Sequence, residues 1–114
     1  MDICFEGVGQ VVATFRTEDE KLAAGMAVTL KDSGTVGLGS GDSPLCGVAV
    51  GAARGGAVAV QIGGVVNVRH SGAKPAGGWT ALTCDSEGKV TKSEGDGAKC
   101  LVLAADGESV VVRL

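Results

Sequence analysis

Gly34-Thr35-Val36-Gly37-Leu38-Gly39-Ser40-Gly41-Asp42-Ser43-Pro44-Leu45-Cys46-Gly47-Val48 aligns without a gap on Gly88-Lys89-Val90-Thr91-Lys92-Ser93-Glu94-Gly95-Asp96-Gly97-Ala98-Lys99-Cys100-Leu101-Val102. Six of the fifteen positions are identical: Gly34 with Gly88, Val36 with Val90, Gly41-Asp42 with Gly95-Asp96, Cys46 with Cys100 and Val48 with Val102. Roughly one or two would be expected by chance in so glycine-rich a chain, so one unit occurs twice. A two-residue shift extends the match to the flanks. Ala24-Gly25 and Leu30 meet Ala76-Gly77 and Leu82, and Val58-Ala59-Val60-Gln61-Ile62 meets Val110-Val111-Val112-Arg113-Leu114. The division is an N-terminal strand and connection over 1–22, a first unit over 23–62, a linking strand and loop over 63–75 and a second unit over 76–114.

Working outward from this block, the apolar runs are short, β-branched and punctuated by glycine. Val11-Val12-Ala13-Thr14-Phe15 reads as a first strand, and Thr17 in the charged connection after it can cap one helical turn. Ala27-Val28-Thr29-Leu30-Lys31 turns at Asp32-Ser33-Gly34 into Thr35-Val36-Gly37-Leu38. After the 39–44 loop come Leu45–Val50, a turn at Arg54-Gly55-Gly56, Ala57–Ile62, and a Gly63-Gly64 hairpin into Val65–Arg69. The second unit repeats the order through Trp79–Thr83, Asp85-Ser86-Glu87-Gly88, Lys89–Thr91, Lys99–Leu103, Asp106-Gly107 and Ser109–Leu114. No stretch sustains helical three-four spacing. The expected fold is all-β, a small barrel or sandwich of about nine or ten short strands, with the two units as halves sharing one core.

With 114 residues the chain is long enough for one domain core and too short for two independent ones. Hydrophobic residues make up 45% of it, yet Phe5, Phe15 and Trp79 are the only aromatics. A core of Val and Ala suits closely packed strands. The formal charge of −3, with lysines and arginines scattered, gives no basic surface for nucleic acid. No segment has the length and apolarity of a membrane span, and the start, Met1-Asp2-Ile3-Cys4-Phe5, lacks the pattern of a secretory signal. Synthesis in a cytoplasm is therefore expected, with Cys4, Cys46, Cys84 and Cys100 kept as thiols.

The reactive residue types do not assemble into a motif. The cysteines are too far apart for paired zinc ligands, and Cys46 and Cys100 read as small buried hydrophobes, with a disulfide between them left open. His70 and Ser71 are adjacent and on a strand would face opposite ways, so His70 reads as a solvated strand-end residue with no catalytic role. Asp42 and Asp96 read as turn-stabilising loop residues. Gly37-Leu38-Gly39-Ser40-Gly41 lacks the following helix that a phosphate loop requires. Trp79 reads as the core plug of a chain poor in bulky groups. No cofactor, metal or catalytic residue is expected, and the chain reads as a non-enzyme.

Gly47-Val48-Ala49-Val50, Val58-Ala59-Val60, Gly63-Gly64-Val65-Val66-Asn67-Val68, Ala76-Gly77 through Leu82-Thr83, Asp85-Ser86-Glu87-Gly88-Lys89-Val90 and Val110-Val111-Val112-Arg113-Leu114 together resemble a family of small phage head proteins that act as capsid cement or decoration proteins. The resemblance covers roughly residues 23 to 114. Gly55-Gly56 departs from it, standing where the family often has Gly-Glu or Gly-Asp, a pattern that Gly107-Glu108 keeps. The resemblance implies a structural protein of the virion exterior that binds the major capsid protein, with a homotrimer matching threefold sites. Because the repeat matches scaffolding positions, contacts with capsid or neighbouring subunits are expected on its unmatched parts: Phe5, Phe15, Arg16, Arg69, His70 and Lys74. The alternative expectation is a small ligand- or carbohydrate-binding β-barrel that uses Trp79.

Overall fold

The computed structural model describes residues 10–72, 74–75, 77–93 and 97–114, and these form eleven strands and no helix. They are β1 (Val11–Thr17), β2 (Ala27–Asp32), β3 (Thr35–Gly37), β4 (Ser43–Pro44), β5 (Gly47–Ala49), β6 (Ala57–Gly63), β7 (Val65–Arg69), β8 (Gly78–Cys84), β9 (Val90–Ser93), β10 (Ala98–Ala105) and β11 (Ser109–Arg113). Each break falls where the sequence places turn chemistry. At Asp85, for example, one carboxylate oxygen accepts the backbone N–H of Glu87 at 2.9 Å and of Lys89 at 3.0 Å. Asp106 holds the β10–β11 turn in the same way through the N–H groups of Glu108 and Ser109, both at 2.8 Å. Thr17 Oγ1 accepts the Asp19 N–H at 3.0 Å, but the connection that follows is a bend and a turn in place of the expected helical turn.

Two sheets result. In the first, β1-β3-β2-β5-β6 closes into a five-stranded barrel; the second is six-stranded, running β4-β8-β10-β11-β7 with β9 on β8. The pairing order is the same in both. Hairpin β2–β3 corresponds to β8–β9, then β2–β5 to β8–β10, β5–β6 to β10–β11, and β6–β1 to β11–β7. The unit of repetition thus includes the strand that precedes each matched segment. Barrel closure is the parallel pairing of β1 on β3, with Thr17 opposite Val36, and the second sheet has its counterpart in a single parallel bridge of His70 to Val90.

The structure replaces the expected single core with two. One cluster fills the first barrel with Leu22, Val28, Val36, Ala49, Val58 and Val60. The other lies under the second sheet and includes Val66, Val68, Leu82, Val90, Val102, Val110 and Val112, joined by Ala27, Leu45 and Val48 of the first unit. So narrow a five-stranded tube has room inside only for small and medium-sized side chains. Cys46 packs against the first cluster while Cys100 belongs to the second, and both are free thiols. The disulfide left open by the sequence is not formed.

The hairpins also correct the two-residue shift at the N-terminal flank. Leu30 pairs with Val36 and Cys84 with Val90, so Leu30 corresponds to Cys84, and the counterpart of Leu82 is Val28. Val28 and Leu82 are both wholly buried, whereas Leu30 is exposed.

Val48→Asp and Val102→Asp each place a carboxylate in the second cluster. An unpaired buried charge costs several kcal/mol, comparable with a small domain's stability of about 5–15 kcal/mol. Both variants are expected to lose the cooperative thermal transition seen by circular dichroism, whereas Leu30→Asp on the exposed face should keep it.

Candidate functional site

Two surface features stand out. The first is on the outer face of the second sheet. Leu101 on β10 lies directly between Trp79 on β8 and Arg113 on β11, so the three side chains share one side of the sheet. The Arg113 guanidinium carbon is 5.5 Å from the centre of the Trp79 ring, within cation–π range. Leu103, the extra residue at a β10 bulge, is exposed beside this row.

Trp79 is 66% exposed, which overturns its reading as the core plug. The corrected repeat register explains this: Trp79 corresponds to Gly25, outside the strand positions that fill the first barrel. The space under the second sheet is already taken by Leu82, Cys84 and valines. The sequence signal was the parity of Trp79 against Leu82, three residues on and therefore on the other face of the strand.

The second feature is a cleft of about 520 Å³ at the junction of the two units. Ala24-Gly25-Met26 forms part of its lining, opposite β7 at Asn67 and Arg69, and Glu87, Lys89 and Glu108 also line it. No ion pair joins these four charged residues. A smaller recess beside it adds His70 to Arg69, Lys89 and Glu108. Of the residues expected to make contacts, the structure brings together Arg69 and His70. Arg16 is exposed at the end of β1, Lys74 is exposed, and Phe15 is half-buried against the first core cluster. Phe5 lies outside the described residues.

His70 is 7% exposed, which corrects its reading as a solvated residue. Its backbone N–H donates to the Glu108 carbonyl at 3.0 Å, holding it in the seam between β7, β9 and the β10–β11 turn. Its Nε2 is 2.8 Å from the Asp106 carbonyl, and because a carbonyl can only accept, Nε2 carries the proton. Nδ1 is buried without a hydrogen-bond partner among the described residues. Ser71 turns the other way, its hydroxyl donating to Asp85 at 3.0 Å with Thr91 Oγ1 at 2.8 Å. The adjacent pair is therefore not a nucleophile and base. Burial pushes the Asp85 carboxyl up, but the bonds from Lys89, Glu87 and Ser71 outweigh it and hold the group below the ordinary range.

Asp42 accepts the Ser40 hydroxyl at 3.1 Å, as a loop-stabilising aspartate does, and Asp96 lies outside the described residues. Among the described residues no group of three or more His, Cys, Asp or Glu side chains is placed to hold a metal. Cys84 is wholly buried, and burial, aided by the neighbouring Asp85 charge, pushes its thiol up to about 11. No protein-family model matches the chain, and no curated protein matches it.

An exposed indole should emit at long wavelength and be readily quenched by acrylamide, and Arg113→Ala should increase that quenching further. Emission that is blue-shifted and resists quenching would contradict the position of Trp79. Cys84 gives a second test. Its thiol is held neutral in the folded chain, so the stability it contributes is complete below the ordinary thiol value of 9.0 and is lost as pH rises towards about 11. At about 1.4 kcal/mol per pH unit, the loss is of the order of 2–3 kcal/mol. Cys84→Ser should flatten the decline between those pH values in denaturant titrations.

Proposed function

We propose that this chain is a non-enzymatic structural protein that docks on the outer surface of an assembled phage capsid and stabilises it. The observation that carries the reading is the exposed Trp79–Leu101–Arg113 row, with Leu103 beside it, on a sheet whose other face is tightly packed. Tryptophan and arginine dominate the energetics of protein interfaces, and a flat sheet face positions them without the ordering cost of a loop. The resemblance to cement and decoration proteins supports the same reading, because its motifs over residues 23 to 114 fall on the strands and turns that form both sheets. In this reading the partner is the major capsid protein, the location is the virion exterior, and a trimer matches the threefold sites of a shell. Many identical contacts across one shell then add up without any single contact being strong.

Cosedimentation with empty expanded shells of a phage major capsid protein tests the proposal. Saturable uptake is expected, with a rise in shell melting temperature, and Trp79→Ala should weaken uptake at least tenfold. The second reading, a carbohydrate-binding module, draws on the same exposed indole, since an aromatic face flanked by a cation can stack on a sugar ring. Trp79-dependent binding to a glycan array, without uptake on shells, would select it.

A further inference from the structure

The repeat allows the junction cleft to be compared with its counterpart, and one hydrogen bond differs. In the first unit the Arg16 N–H donates to the Gly34 carbonyl at 2.9 Å, and this bond helps close β1 on β3. The equivalent residues are Arg69 and Gly88. Here the Gly88 carbonyl accepts the Ala27 N–H of the first unit instead, at 2.8 Å. Met26 is brought against Gly88 so closely that a Cβ at that residue would lie 2.7 Å from the Met26 side chain. The cleft lies between this diverted junction and β7.

The diversion leaves β7 with an open edge. His70 donates to Glu108 and Leu114 to Gly64, so the even-numbered residues of β7 direct their peptide groups towards β11. Asn67 and Arg69 therefore direct theirs away from it, and β7 ends the strand order of its sheet. Among the described residues no strand pairs with the Asn67 N–H and C=O or with the Arg69 N–H. An unpaired row of donors and acceptors beside a cleft is complementary to one thing above all, another extended backbone.

We propose that β7 takes an extended polypeptide segment from another molecule as an added strand lying in this cleft. Main-chain bonds to Asn67 and Arg69 provide the seat. Arg69, Lys89, Glu87 and Glu108 all line the cleft and select side chains of opposite sign, so the preferred segment is of mixed charge. The open stretch from Asn67 to Arg69 offers roughly 10 Å of edge at about 3.3 Å per residue, enough for about three residues of partner. The site is distinct from the Trp79 face and does not depend on the capsid reading.

Amide hydrogen exchange on the free chain, followed by selection of a linear nonapeptide from a displayed library, tests this. In the free chain, Asn67 and Arg69 should exchange rapidly while Val66 and Val68 are protected. A selected peptide should slow exchange at Asn67 and Arg69 at least tenfold. Asn67→Pro removes an N–H that makes no bond to β11, so the fold should survive while peptide affinity falls at least tenfold, and Asn67→Ala should bind within twofold of the unaltered chain. Asn67 and Arg69 amides already protected in the free chain, a library that yields no binder, or peptides that bind without protecting them would each overturn the proposal. Should the proline variant fail to fold, the exchange comparison on the unaltered chain decides alone. Failure here leaves shell uptake through Trp79 unaffected, so the two proposals fail separately.

Discussion

The hydrogen bond from the Ala27 N–H to the Gly88 carbonyl is the constraint on which the arrangement of the two units depends. It ties the start of β2 to the β8–β9 turn, and with it Ala27 enters the core beneath the second sheet alongside Leu45 and Val48. The Leu45 N–H reinforces the link by donating to the Leu82 carbonyl, and β4 lies along the end of β8. Gly88 makes this contact possible twice over: its φ of +78° suits glycine, and a side chain would collide with Met26. Gly34 shares the positive φ, yet in its unit the carbonyl serves local closure. One sequence position thus performs two jobs, sealing a barrel in one copy and joining the copies in the other.

Side-chain size explains why each unit keeps a core of its own. Valine, alanine and cysteine fill narrow interiors, and none of them reaches far across a gap between sheets. The residues that do bridge, Ala27, Leu45 and Val48, sit on β2, on the β4–β5 connection and on β5, where the first barrel meets the second sheet. The one residue too large for either interior, Trp79, occupies the outward register of β8 and gives the second sheet its apolar outer face.

Much of the fold was legible in the sequence. The all-β class follows from short β-branched runs, and the turns at Asp32-Ser33-Gly34, Asp85–Gly88 and Asp106-Gly107 each join two paired strands, whereas at Gly63-Gly64 the expected hairpin is replaced by a crossing from the first sheet to the second, β6 pairing with β1 and β5 and β7 with β11. Partition into separate cores was not legible, because Val48 and Val102 look alike whether they share a cluster or not. The side of a strand that Trp79 takes depends on register, and the sequence alignment was two residues out at that flank, which also mismatched Leu30 with Leu82. His70 was misread because nothing local signals that the β10–β11 turn folds over it. The cleft was least accessible: Asn67, Glu87, Lys89 and Glu108 are ordinary strand and turn residues, and only the pairing of Ala27 with Gly88 brings them to one place.

The order of synthesis gives the two-core arrangement a consequence in time. Every strand of the first barrel is present once Gly63 has been made, and its closure uses no residue of the second unit. The nascent chain can therefore complete that barrel early, as N-terminal units do during translation. Until β7 to β11 arrive, however, Ala27, Leu45 and Val48 have no cover, and the finished first barrel carries a small sticky patch. The second unit then works as a folding partner supplied in cis, shielding its predecessor before other chains can reach it.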